Sequence, residues 1–208
     1  MTDHILVGGG ALAREIHDWF SPMLALAGHR FAGFIDDTNG PMQDTGHALP
    51  QLGHISAFQS NPEHLLVLAI GSPHAKAKIA HDLLSRGARF ATLLHPSAWV
   101  SASARIGRGS VVSVFADISA NAVLGDFSLL NGYSSVGHDV HLGDCSTLSG
   151  YVDLTGAVQV GRECFFGSGS RVLPKVLIGD NCIIGAGAVV VRSVPDGATL
   201  YAAPARRL

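Results

Sequence analysis

Residues 178–189 read Ile178-Gly179-Asp180-Asn181-Cys182-Ile183-Ile184-Gly185-Ala186-Gly187-Ala188-Val189. Two six-residue units stand side by side, each opening on a large apolar residue followed by glycine. Stepping outward by six, the same phase holds Val100, Ile106, Val112, Ile118, Leu124, Leu130, Val136, Leu142, Leu148, Leu154, Val160, Phe166, Val172, Ile178, Ile184 and Val190. In a chain that is 47% hydrophobic, such a run has odds of roughly one in 10^5 by chance, and a strict period is the mark of a repeat architecture. The residue after each apolar one is mostly Gly, Ser or Asn, as at Gly107, Gly125, Asn131, Gly143 and Gly161. Four residues after it comes a small or β-branched one, such as Ala116, Ser128, Val140, Cys164 or Cys182.

A period of six keeps no face at 3.6 residues per turn, so a helix is excluded. Very short strands joined by tight bends fit. Each hexad forms one wall, three walls close a triangular coil, and coils stack at the ~4.8 Å strand spacing. The sixteen hexads give just over five coils, each touching only its neighbours. Cys164 and Cys182, eighteen residues apart, stack one coil from each other. Small-residue packing is favoured there over a disulfide, because a cytosolic setting disfavours disulfides. The period leaves handedness open, although the rule for parallel crossovers favours a right-handed turn.

Residues 1–95 follow another pattern. Ile5-Leu6-Val7 runs into Gly8-Gly9-Gly10, and Ala11 to Phe20 has helical spacing. Phe31 to Ile35 reads as a strand closed by Asp36-Asp37, and residues 38–53 as a loop. Leu65 to Ile70 is a third strand, Ala75 to Arg86 a helix and Phe90 to Leu94 a fourth strand. Alternation of this kind implies a parallel α/β sheet, Rossmann-like, with a ligand at the carboxyl ends of its strands. Gly8-x-Gly10-x-x-Ala13 matches a relaxed dinucleotide fingerprint. That keeps a nicotinamide dehydrogenase as one reading and a plain strand-to-helix turn as another. The chain therefore divides into residues 1–95 and 96–208.

Composition narrows the function. Charged residues are 14% of the chain, the net charge is -2, and the only lysines are Lys76, Lys78 and Lys175. A basic nucleic-acid-binding face is not expected. No apolar run approaches the ~20 residues of a membrane span. Met1-Thr2-Asp3-His4 lacks a basic leader, so the expected location is the cytoplasm. Of the 95 residues from Ser97 to Val191, only twelve are charged, because the repeat commits most positions to core, bend or tight stacking.

The hexads at 178–189, Ala13-Arg14-Glu15, Gly33-Phe34-Ile35-Asp36-Asp37, Leu94-His95-Pro96, Gly137-His138-Asp139, Leu142-Gly143-Asp144 and Pro204-Ala205-Arg206 together resemble the hexapeptide-repeat sugar acetyltransferases. The branch is that of the sialic-acid O-acetyltransferases and the nucleotide-amino-sugar N-acetyltransferases (NeuD/PglD-like). The resemblance implies a left-handed parallel β-helix, a homotrimer with active sites between subunits, acetyl-CoA as co-substrate, and no metal. By resemblance, Gly10, Ala11, Leu12, Asp36, Asp37 and Gly71 fall on nucleotide-contacting positions and Asn131 on a sugar-contacting one. Thr147, Gly156, Ser168 and Ala186 fall on acetyl-CoA positions. Relatives often carry Gly-His at Ala11-Leu12 and His at Thr147.

Acetyl transfer to an amine or hydroxyl needs a base for the nucleophile's proton and donors for the developing oxyanion. Histidine suits the first role. Nine of the eleven histidines lie at or before His95, which leaves His138 and His141 in the repeat. The family pattern selects His138, with Asp139 as the carboxylate that supports it. His138-x-x-His141 as a metal pair is the competing reading, and Arg206 and Arg207 are candidates for CoA phosphates. The leading expectation is an acetyl-CoA-dependent N-acetyltransferase on a nucleotide-linked amino (dideoxy) sugar. A sugar O-acetyltransferase and a non-catalytic sugar-nucleotide-binding scaffold are the alternatives.

Overall fold

The computed structural model describes residues 2–42, 45–59 and 61–204. The first apolar runs form β1 (Asp3–Val7), β2 (Arg30–Ile35), β3 (Gln51–Gly53) and β4 (His64–Leu68), with helices α1 (Ala11–Leu26) and α2 (Pro73–Ser85). Every pairing is parallel and the strand order is β3-β2-β1-β4. The continuous apolar run of β1 follows from burial on both faces. Leu6 packs with Ala13, Ile16, Phe20 and Leu24 of α1, whereas Ile5 and Val7 pack with Ala80 and Leu83 of α2.

Three local expectations shift. Helix α1 continues past Phe20 and through Pro22, although Pro22 has no N–H to give the Asp18 carbonyl. Leu24, buried in the core, anchors the last turn. Strand β3 lies inside the segment expected to be a loop. The expected Phe90–Leu94 strand is split. Phe90 bridges to Leu66, while β5 (Leu93–Leu94) pairs with Val111–Val112 and starts the solenoid.

From β5 to Thr199–Leu200 the chain forms a parallel solenoid of two-residue strands in three walls, of seven, six and five strands. The first wall includes Leu129–Leu130, Thr147–Leu148 and Phe165–Phe166; the second, Ser135–Val136 and Asp153–Leu154; the third, His141–Leu142 and Gln159–Val160. Partners stand eighteen residues apart, as in Val123 with His141, except at the last strand, where Ile183 meets Thr199. The coils thus continue beyond both ends of the Val100–Val190 run, one hexad back to Leu94 and, past an isolated Ile178–Val194 bridge, on to Leu200. The phase residues from Val112 to Val190 line one continuous core, each fully buried Leu, Ile or Phe contributing about 1.5–3 kcal/mol.

The edges between walls explain the remaining phases. A Cβ on Gly143 would stand 2.4 Å from the Gly161 backbone one coil on, so only glycine lets the coils close there. The third residue of most edges is left-handed: Phe115, Asn121, Phe127, Tyr133, Asp139, Cys145, Tyr151, Ala157, Glu163, Lys175 and Asn181 have φ between 54° and 64°. Each costs roughly 1 kcal/mol, offset by coil-to-coil bonds such as Asp139 N–H to the Ala120 carbonyl at 2.9 Å. Cys145, Cys164 and Cys182 are free and buried. Cys164 and Cys182 donate to the Gly179 and Pro195 carbonyls, each at 3.1 Å.

The N-terminal half covers the outer face of the first wall. Leu93, Val111 and Leu129 join the α1 cluster, and Phe127 and Cys145 the α2 cluster. Lys76 of α2, only 1% exposed, crosses this seam. Its ammonium donates to the Ser146 carbonyl at 3.1 Å and to Thr147 Oγ1 at 2.9 Å. Burial pushes its pKa down to about 7. Among the described residues, no helix is long and apolar enough to cross a membrane.

Candidate active site

His138 stands on the edge between the second and third walls, in the bend 137–140 that links Ser135–Val136 to His141–Leu142. The left-handed conformation of Asp139 turns its carboxylate back onto the preceding ring, and His138 Nδ1 lies 2.8 Å from Asp139 Oδ2. A carboxylate only accepts, so Nδ1 carries the proton and neutral His138 offers Nε2 as a base. Asn121 Nδ2 donates to Asp139 Oδ1 at 3.1 Å. The hydrogen bonds from His138 and then Asn121 hold the Asp139 carboxyl below the usual carboxylate range. Sequence reasoning missed Asn121, although it sits eighteen residues before Asp139, in the same slot of the preceding coil.

Gly156 occupies the His138 slot one coil further on. A Cβ there would lie 2.4 Å from His138 Nε2 and 2.7 Å from Cε1, so the imidazole rests against a bare Cα. The Gly156 carbonyl accepts from Lys175, while its N–H has no partner among the described residues. His138 and Asp139 are open to solvent, with side chains 67% and 53% exposed. His141 points outward from the third wall, between Val123 and Gln159. Among the described residues the His138–His141 pair gathers no third metal-ligating group.

The other site residues lie elsewhere. Asn131, Ser168 and Ala186 belong to the edge between the first and second walls, so in one chain a wall separates them from His138. Ser168 and Ala186 are exposed there, and Asn131 Oδ1 is buried without a partner. Thr147 is buried on the first wall, its hydroxyl accepting from Lys76. The same exposed edge carries a column of Phe115, Tyr133 and Tyr151, stacked at 5.1 and 5.0 Å.

At the far end, Gly10 caps α1 in open space, and the N–H groups of Ala11 and Leu12 have no partner among the described residues. Asp36 accepts from the Gly9 N–H at 2.7 Å and from the N–H and hydroxyl of Thr38 at 2.8 and 2.7 Å. Desolvation raises its pKa, but these bonds outweigh it and the net shift is downward. Asp37 Oδ1 accepts from the N–H and hydroxyl of Ser56, both at 3.0 Å. Gly71 borders Leu12, whose Cδ2 would lie 4.0 Å from a Cβ. Asp36 therefore braces the glycine turn, and the open polar groups are the helix N–H donors. Arg206 and Arg207 lie outside the described residues.

A model of the bacterial transferase hexapeptide (six repeats) matches residues 157–192. No curated protein sequence matches. Several solved structures match over nearly the whole chain, among them the three that follow. The acetyltransferase domain of PglB from Neisseria gonorrhoeae FA1090, in complex with acetyl coenzyme A, is 29% identical, with a TM-score of 0.86 and coverage of 99% of this chain and 98% of that one. PerB from Caulobacter crescentus, in complex with CoA and GDP-perosamine, is 29% identical, with a TM-score of 0.82 over 96% and 93%. WeeI from Acinetobacter baumannii AYE is 25% identical, with a TM-score of 0.86 over 100% of both chains. With its six-residue period, its matched repeats and this end-to-end likeness, the chain is an acyltransferase built on a six-residue repeat, and it is similar to the sugar acetyltransferases.

Proposed function

We propose that the protein is an acetyl-CoA-dependent N-acetyltransferase acting on the amino group of a nucleotide-linked amino (dideoxy) sugar. The observation that carries this reading is the His138–Asp139 pair, oriented at 2.8 Å on an exposed coil edge. It sits in a chain that aligns over 96% of its length with an enzyme solved with CoA and GDP-perosamine. That enzyme was also solved with a histidine replaced by Asn and by Ala.

In the reaction, His138 Nε2 takes a proton from the amine as its nitrogen attacks the thioester carbonyl carbon. Asp139 stabilises the imidazolium that forms. The N–H of Gly156 is our assignment for the donor to the oxyanion. As the C–S bond breaks, the proton passes from His138 to the CoA sulfur, leaving amide and thiol. Thr147 drops out of the acetyl-CoA set, because its hydroxyl is committed to Lys76.

We read the N-terminal half, with its parallel sheet in the order β3-β2-β1-β4, as Rossmann-like and assign it to the nucleotide. Its pyrophosphate would accept from the free N–H groups at the start of α1. We place the unit boundary before Leu93, because β5 pairs with Val111–Val112. We assign the solenoid a left-handed turn and the assembly three subunits. In a trimer the edge bearing Asn131, Ser168 and Ala186 of one copy would face the His138 edge of the next. The exposed aromatic column supports that packing, and a cytoplasmic location fits the free cysteines.

The test is thiol release from acetyl-CoA with matched nucleotide-linked amino and hydroxy sugars. Transfer to the amine but not the hydroxyl supports the proposal. Transfer to the hydroxyl alone would replace it with O-acetylation, and none with any acceptor would favour a scaffold. A monomer by light scattering would remove the subunit arrangement.

A further inference from the structure

Eight histidines precede the solenoid, and two of them meet one carboxylate. His17 and Asp18 stand on α1, and His47 on the irregular segment between β2 and β3. His47 Nε2 lies 3.1 and 3.2 Å from the two oxygens of Asp18. His17 Nδ1 lies 3.4 Å from Asp18 Oδ1. The three ligating atoms all fall within 4.8 Å of one another.

The proton inventory around His47 is the key. Its Nδ1 lies 3.2 Å from the Thr45 carbonyl oxygen, which only accepts, so Nδ1 carries the hydrogen. In neutral His47 the Nε2 lone pair then faces the Asp18 carboxylate, and two acceptors confront each other. Only a cation between them resolves the conflict: a second proton on His47, or a metal ion.

Three features favour the metal. Four ligands at ~2.0 Å in a tetrahedron have edges of about 3.3 Å; the imidazole–carboxylate spacings of 3.1 and 3.4 Å lie on either side of that value, and the two imidazole nitrogens fall within 4.8 Å of each other. His17 also turns a nitrogen to the same carboxylate, which places a second imidazole where a metal would take a third ligand. A metal-bound imidazole commonly donates its other N–H to a backbone carbonyl, as His47 does to Thr45. The His17 and His47 side chains are 27% and 19% exposed and Asp18 is 62% exposed, so a water can complete the shell.

We propose that His17, Asp18 and His47 form a structural site for a zinc-type divalent transition metal, distinct from the His138 centre. The ion would clamp the segment after β2 onto α1. That segment, with Asn39, Met42 and His47, lines a cavity of about 670 Å³. Its Pro41 packs against Gly9 in the glycine turn. The ion takes no part in acyl transfer, and the proposal does not depend on the substrate.

The test uses full-length protein without an affinity tag, stripped with a chelator and then titrated with Zn2+. At a hundredfold excess over the dissociation constant, the melting temperature should rise by about 5–10 °C. It should rise by less than about 2 °C in His47→Ala and Asp18→Asn. Both side chains reach the surface, so these variants keep the fold. Mg2+ should have no effect, because nitrogen ligands disfavour it. Co2+ should give visible absorption typical of a tetrahedral site in the wild type and not in the variants. An equal Zn2+ response in wild type and variants, or none in either, would overturn the site and leave His47 as an imidazolium.

Discussion

Replacing Gly156 with alanine should separate activity from stability. The new methyl would stand 2.4 Å from His138 Nε2, where ordinary contact begins at 3.4 Å, so the ring must retreat by about 1 Å. It has room, since the side chain is largely exposed, and the backbone at Gly156 is not in the left-handed region. Alanine fits that backbone, and the unfolded chain loses entropy, which favours the variant by about 0.4–1 kcal/mol. The displaced ring loses the geometry that holds Nδ1 2.8 Å from Asp139, and a misplacement of ~1 Å costs about 10²-fold in rate. That approaches removal of the base itself, for which we expect ~10²–10⁴-fold in His138→Ala. The assay pairs thiol release with thermal unfolding and with NMR of the His138 ring nitrogens. A melting temperature about 1–4 °C above wild type, a shifted ring and a hundredfold lower kcat are expected. Turnover within threefold of wild type, with the ring displaced, would refute the role given to His138.

Lys76→Met should change the pH dependence of stability. The unfolded chain keeps the Lys76 proton to about pH 10.4, while the buried amine releases it near 7. Between those values the unfolded state binds more protons. Wild-type stability therefore rises with pH by up to ~1.4 kcal/mol per unit relative to the variant, as denaturant titrations at pH 7, 8 and 9 would show. Asp36→Ala frees the Gly9 N–H and Thr38. It should raise KM for the nucleotide-linked acceptor by about tenfold, ~1.4 kcal/mol of lost binding, with kcat little changed; a drop in kcat alone would contradict that division of labour. Phe166→Ala, at a fully buried core position, should cost about 3–5 kcal/mol and be read as a lower denaturant midpoint.

The solenoid was legible because its signal is a phase, and phase survives any change of side chain that keeps size and polarity. The same arithmetic separates the site residues. His138 and Gly156 differ by eighteen and share an edge, while His138 and Ser168 differ by thirty and do not. Less was legible where one residue serves two units. Phe90 and Leu93 form one apolar run but join different sheets. Strand β3 is too short for alternation to stand out and carries Gly53 at its end. Lys76 reads as the solvent face of a helix, and only the docking of α2 on the first wall makes it the most buried charge in the seam. His17 and His47 are thirty residues apart, and an irregular segment, which has no period to follow, brings them together.

The eighteen-residue register also constrains how this chain can change length. The solenoid behaves as a threaded rod whose outward direction is set by residue count. Six residues inserted between β5 and His138 would leave every core position filled and every bend intact. They would also rotate the rest of the rod by a third of a turn, carrying His138 to the edge now occupied by its neighbours. Twelve residues would do the same in the other sense. Only whole coils can be gained or lost without changing how the His138 edge is turned relative to the N-terminal half. Lineages that lengthen or shorten this protein should therefore do so in steps of eighteen, or confine the change to the bends.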